Sequence, residues 1–123
     1  MNKINTSLGS HFIKDNILYV ILNEDADIDI EMMKESEATR VELQKGEKIK
    51  VFVDARKIYQ ITSEAREYAS GDINTKLSIG TAVLIKSLST RLIVNFFIKV
   101  NKPLVPTKMF KSEEEALIWL NNL

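Results

Sequence analysis

The residues with the most to offer chemically are few, and they gather beyond two apolar runs. Asp54 and Arg56 follow IKVFV at residues 49–53, while Lys86, Ser87 and Ser89 follow TAVLI at residues 81–85. Open α/β sheets collect their ligands at the carboxyl ends of the strands, so a carboxylate, a guanidinium, an ammonium and hydroxyls there can bind an anion or a polar partner. Tyr59, Thr62 and Ser63 continue the same rim. Thr62 or Ser63 can cap the helix that the spacing of Ile61, Ala65, Tyr68 and Ala69 predicts. The free N–H groups of a helix start favour a phosphate, which makes Ser63 a candidate phosphorylation site. The set lacks a base that titrates near neutral pH, and the single histidine, His11, reads as a surface or hairpin residue with no nucleophile beside it. No catalytic centre is expected, and the chain reads as a binding protein, not an enzyme.

Metal and cofactor chemistry find little support. Asp25, Asp27 and Asp29 alternate as in a calcium loop, but Ile30 stands where that loop needs glycine and Ser36 where it needs glutamate. A solvated helix start, favoured by the helix dipole, explains these acids better. Cysteine is absent, so there is neither a disulfide nor a thiolate ligand, and the four glycines match no phosphate loop. We expect no metal and no cofactor.

At 123 residues with 45% hydrophobic content, the chain can bury a core as one domain spanning residues 1–123. Its net charge is zero but unevenly placed: residues 24–37 hold seven acids against Lys34, and residues 73–111 hold seven Lys or Arg with no acid. That balance is far from the basic excess of phosphate-backbone binders, so nucleic acid is not an expected partner. The opening MNKINTSLGSHF lacks a signal-peptide core and no run is long enough to span a bilayer, which points to a cytoplasmic protein.

The elements that must hold the rim follow from periodicity. A hairpin is expected from residues 11–14 and 17–23, turning at Asp15 and Asn16, which tolerate positive φ. Residues 23–29 read as an acidic loop ending in a cap at Asp27 or Asp29, and a helix runs to about Gln44, stopped by Gly46. Ile28, Met32, Ser36, Thr39 and Leu43 would line its inner side. Residues 49–54 and 78–86 are central parallel strands, because their unbroken apolar runs suit a sheet covered on both faces. Gly71 ends the second helix; a third spans residues 91–102, ahead of Pro103. Residues 105–110 make an edge strand marked by Pro106, and Ser112 with Glu115 caps a last helix.

The resulting order, ββαβαβαβα, with VDAR at residues 53–56, RLIVNFFIKVNKPLVP at 91–106 and MFKSEEEALIWL at 109–120, resembles the STAS domain of anti-sigma-factor antagonists, and small bacterial STAS-like proteins most of all. The resemblance implies a single α/β domain with a mixed, mostly parallel sheet of about five strands and four helices. It also implies a regulatory module that acts by binding a protein partner. In the antagonist branch an Asp-Ser-Ser-Gly motif carries the serine that a partner kinase phosphorylates. The matching positions here are Thr62, Ser63, Glu64 and Ala65, of which Ser63 alone agrees.

The third helix carries more apolar surface than one core contact needs. Leu92, Ile93, Phe96, Phe97 and Val100 make a sufficient core face, leaving Val94 and Ile98 as spare apolar surface beside Arg91 and Lys99. The first expectation is a homodimer formed through that surface. The alternative is a carrier of a lipid or small apolar ligand, or a peripheral membrane protein, using the same helix and agreeing with a distant likeness to lipid-binding CRAL-TRIO domains.

Overall fold

The computed structural model describes residues 2–123, the side chains at positions 73 and 74 excepted. Six strands form the main sheet in the order β1-β2-β3-β5-β7-β8: β1 (Ile4–Asn5), β2 (Gly9–Lys14), β3 (Ile17–Leu22), β5 (Ile49–Asp54), β7 (Ser78–Leu84) and β8 (Thr107–Phe110). The first two pairings are antiparallel; β3, β5, β7 and β8 run parallel. The β2–β3 turn places Asp15 and Asn16 at φ 53° and 61°, the conformation the hairpin requires. The α/β architecture with a mostly parallel sheet thus stands as expected, and β8, just after Pro106, is its edge.

Four helices of eight residues or more pack on it: α1 (Ile30–Gln44), α2 (Ser63–Ser70), α4 (Leu88–Phe96) and α5 (Glu113–Asn121). A one-turn helix α3 (Asp72–Thr75) follows α2, and α4 continues as a π-helical turn over Phe97–Asn101. Asp29 caps α1 and Thr62 caps α2, each side chain accepting from the backbone N–H three residues on. Lys45 at φ 54° and Gly46 at φ 77° end α1 in the left-handed region.

Alternation along the strands sends side chains to two separate cores. Val51, Val20, Leu22 and Val83 join Ile28, Ala65 and Val94 on the face covered by α1, α2 and α4. Phe52, Ile17, Ala82 and Leu84 pack under Ala116 and Leu120 of α5 on the other.

Several boundaries differ from expectation. Residues 23–29 are not wholly loop: β4 (Ala26–Ile28) pairs in parallel with β6 (Ile58–Ile61) as a separate two-stranded sheet. Ala26 and Ile28 are buried about an exposed Asp27, a period-two signal hidden among acids. Helix α4 begins at Leu88, not Arg91, because Ser87 and Thr90 form a capping box. Ile28 belongs to β4, and the buried face of α1 is polar, made of Ser36, Thr39, Arg40 and Gln44.

Candidate functional site

The predicted rim divides. Arg56 clamps Asp54 in two side-chain hydrogen bonds, Nε to Oδ1 at 3.0 Å and Nη2 to Oδ2 at 2.7 Å, and its backbone N–H donates to Oδ1 at 3.1 Å. Burial alone would raise the Asp54 pKa; the bonds and charge of Arg56 outweigh it and hold the carboxyl below its ordinary value. Arg56, Lys86 and Ser87 then line one open polar cleft, with Lys57, Glu24 and Lys111. Lys57 is paired to Glu24 at 3.0 Å. Tyr59, Thr62 and Ser63 are not part of this cleft. The four-residue β6, a strand of roughly 13 Å, intervenes between β5 and the start of α2. Thr62 docks instead on the end of β4, its N–H donating to the Ile28 carbonyl at 2.9 Å. Ser63 is exposed in the first turn of α2.

The surface expected of Val94 and Ile98 is inverted. Val94 is 5% exposed and Ile98 packs against the core, so neither is spare. The spare apolar stripe is the opposite one, with Leu92 at 59% and Phe96 at 48% exposed alongside Leu88, Val100 and Leu104. Nearly every position of this helix that is not cationic or amide-bearing is apolar, so the pattern does not say which arc faces inward. Arg91 and Lys99 are exposed, as expected. Arg66 of α2 lies over the Phe96 ring at 4.7 Å, a cation–π contact that ties α2 to α4.

The feature missed altogether lies inside. Between the sheet and helices α1, α2 and α4 is a cavity of about 160 Å³ walled chiefly by Val20, Val51, Val53, Val83, Ile58 and Val94. None of its lining residues is exposed. Phe97, in the π-helical turn, borders it together with Pro103 and Val105 of the segment that follows. Turns of this kind are uncommon in helices and concentrate at functional sites.

One wall of the cavity is polar, where α1 presents Ser36 and Arg40 to it, with Ser78 and Thr75. Arg40 is 5% exposed. Its Nε donates to Gln44 Oε1 at 2.9 Å, and its Nη2 to Ser78 Oγ at 2.9 Å and the Leu77 carbonyl at 3.3 Å. No carboxylate among the described residues forms an ion pair with it. Burial lowers its pKa to about 10, which leaves it cationic at neutral pH.

His11, expected as a surface or hairpin residue, lies in the hairpin strand β2 but is 0% exposed, behind Ser36. Its Nδ1 faces the Gly9 carbonyl at 3.3 Å, an atom that can only accept. Nδ1 therefore carries the proton, and Nε2 accepts from Ser36 Oγ at 2.7 Å. Burial lowers the imidazole pKa, which keeps it neutral. The pair has the spacing of a nucleophile and its base, though the imidazole is steered by a carbonyl and sealed from solvent. Gly9 is required here, since a Cβ would lie 2.0 Å from the Ile21 carbonyl oxygen. Among the described residues no group of three or more His, Cys, Asp or Glu could hold a metal ion, and no helix is long and apolar enough to cross a membrane.

A signal for the cavity wall did exist in the sequence. Ser36, Thr39, Arg40 and Gln44 recur at helical spacing, so the long α1 has a polar stripe where an apolar one was sought.

Comparison with known proteins leaves activity open. A family model described as "Domain of unknown function (DUF7793)" matches residues 11–123. No curated protein matches the sequence. A crystal structure of a protein with unknown function from Arthrobacter sp. FB24 is similar over 89% of this chain and 95% of its own, at 23% identity and a TM-score of 0.35. A likeness that slight carries no argument.

Proposed function

The chain belongs to the DUF7793 family, and we propose that it is a non-catalytic binding module of the STAS-like type that holds a small apolar molecule inside the fold. The observation that carries this reading is the cavity of about 160 Å³ beneath α4. An engineered cavity of roughly 150 Å³ in another protein takes up benzene, so the space is of ligand size. It also lies at the layer between a parallel sheet and its helices, where apolar pockets with a few polar groups are commonly built. The Ser36–His11 pair fits a binding role as well, because the hydroxyl and the imidazole satisfy each other within a sealed wall.

A second reading, a homodimer with a regulatory partner, is favoured by the exposed stripe of Leu88, Leu92, Phe96 and Val100. Apolar residues grouped on one helix face, unlike singly scattered ones, can pair with their own copy about a two-fold axis. In that reading the partner meets two patches, the cleft of Arg56, Lys86 and Ser87 beside Asp54 and the start of α2 at Thr62 and Ser63 after Tyr59, and a phosphate on Ser63 would meet the free N–H groups of α2.

Native mass spectrometry of protein purified from its own host separates the two. Excess mass that is lost on denaturation supports ligand carriage, and a doubled mass supports the dimer. A bare monomer at physiological concentration defeats both.

A further inference from the structure

We propose that the occupant of the cavity is a short apolar monocarboxylate, of the size of hexanoate or benzoate, with its carboxylate on Arg40 and its hydrocarbon against Val51, Val53 and Val83. This rests on the reading of the cavity as a ligand site and adds the chemistry of the ligand.

Three observations converge on it. The guanidinium is almost wholly removed from solvent and forms no contact ion pair among the described residues; Glu37 acts on it only through space, its carboxylate accepting from the Tyr68 hydroxyl, although a buried cation is strongly disfavoured unless paired. Its fork is also only partly used. The recorded bonds run from Nε and Nη2, and none from Nη1. Nη1 is thus left with some accessible surface, and Arg40 is among the residues that line the cavity. A guanidinium with two unused N–H donors suits a carboxylate oxygen. The remaining walls are overwhelmingly aliphatic, with the Ser36 hydroxyl committed to His11.

Size and charge narrow the class further. A space close to that of a benzene-binding cavity holds on the order of six to ten heavy atoms. A long fatty chain does not fit, nor does a phosphate-headed lipid, whose second negative charge would lack a cation. One buried positive charge calls for one negative charge, and an uncharged apolar molecule would leave the guanidinium unpaired.

Calorimetric or NMR titration of the whole protein at neutral pH with hexanoate and with 1-hexanol tests the inference. The expected result is that hexanoate binds at least ~10-fold more tightly than the alcohol, the scale of a hydrogen bond to a charged group. In Arg40→Met that preference should vanish while hexanol still binds. If the wild type takes both equally, or prefers hexanol, the carboxylate assignment is overturned and the apolar cavity stands. If it takes neither at millimolar concentration, both fall. Should Arg40→Met not fold, the wild-type comparison and the Arg40 Nε–H resonance on adding hexanoate decide, since a carboxylate seated there must shift it.

Discussion

Filling the cavity measures directly what the empty space costs the fold. Val53 sits on the central strand β5 and lines it, so Val53→Phe sends about four additional carbons into the void. An empty space of about 160 Å³, at ~24 cal/mol per Å³, costs the fold on the order of 4 kcal/mol. Burying about four carbons returns at most ~3 kcal/mol at ~0.8 kcal/mol each, and imperfect fit and lost rotamer freedom reduce that to about 1–2 kcal/mol. The variant should therefore be more stable than wild type, with Tm raised by roughly 3–8 °C and the urea midpoint shifted at unchanged m-value. It should also stop binding hexanoate and hexanol, because the ring occupies their place. A loss of more than about 1 kcal/mol would refute the reasoning, since only a site already packed to native density penalises a larger side chain in that way.

Other outcomes follow from particular contacts. Leu92→Glu, on the exposed arc of α4, should convert a dimer into a folded monomer with stability within about 0.5 kcal/mol of wild type, while Val94→Glu should unfold the protein; analytical ultracentrifugation with circular dichroism reads both, and a wild type monomeric at high concentration ends the dimer reading. Because burial lowers the His11 pKa, the unfolded chain takes up a proton below about pH 6.5 that the folded chain refuses. Stability is then full above that value and falls as pH drops through it, by up to ~1.4 kcal/mol per pH unit; urea unfolding in His11→Asn should lose this slope, and an unchanged slope would assign it elsewhere. Gly9→Ala forces a methyl group onto the Ile21 carbonyl and should cost more than about 2 kcal/mol in chemical denaturation, despite being a one-carbon change.

How far the chain could be read depended on which kind of signal each residue carries. IKVFV and TAVLI announce central strands because a sheet covered on both faces leaves no polar side to show, and they proved to be neighbours in parallel register. The caps at Asp29 and Thr62 and the stop at Gly46 were legible because their chemistry is local. The inward arc of α4 was not, since Leu92 and Val94 are equally apolar and burial is decided by the sheet below. Its π-helical end also departs from 100° per residue, so a wheel drawn through Val100 misplaces it. Arg56, Lys86 and Ser87 share a cleft, with Asp54 clamped by Arg56. The parallel pairing of β4 with β6, a contact between distant stretches, then moved Ser63 away from it. Ser36 and Thr39 were legible on the inner side of α1, whereas Arg40 and Gln44 were not, because a long polar side chain on a helix ordinarily marks the solvated face.

The small β4–β6 sheet has a mechanical consequence. Asp29 opens α1 directly after β4, Thr62 opens α2 directly after β6, and the Thr62 N–H to Ile28 carbonyl bond rivets the two starting points together. The Tyr68 hydroxyl, donating to Glu37 at 2.9 Å, joins the same helices farther along. One roof of the cavity is thus a braced pair of beams, whereas its other side ends in a π-helical turn and an irregular strand approach. In native-state hydrogen exchange α1 and α2 should open together as one cooperative unit, and the amides of residues 97–105 should open separately and at lower cost, making that side the door through which a guest enters.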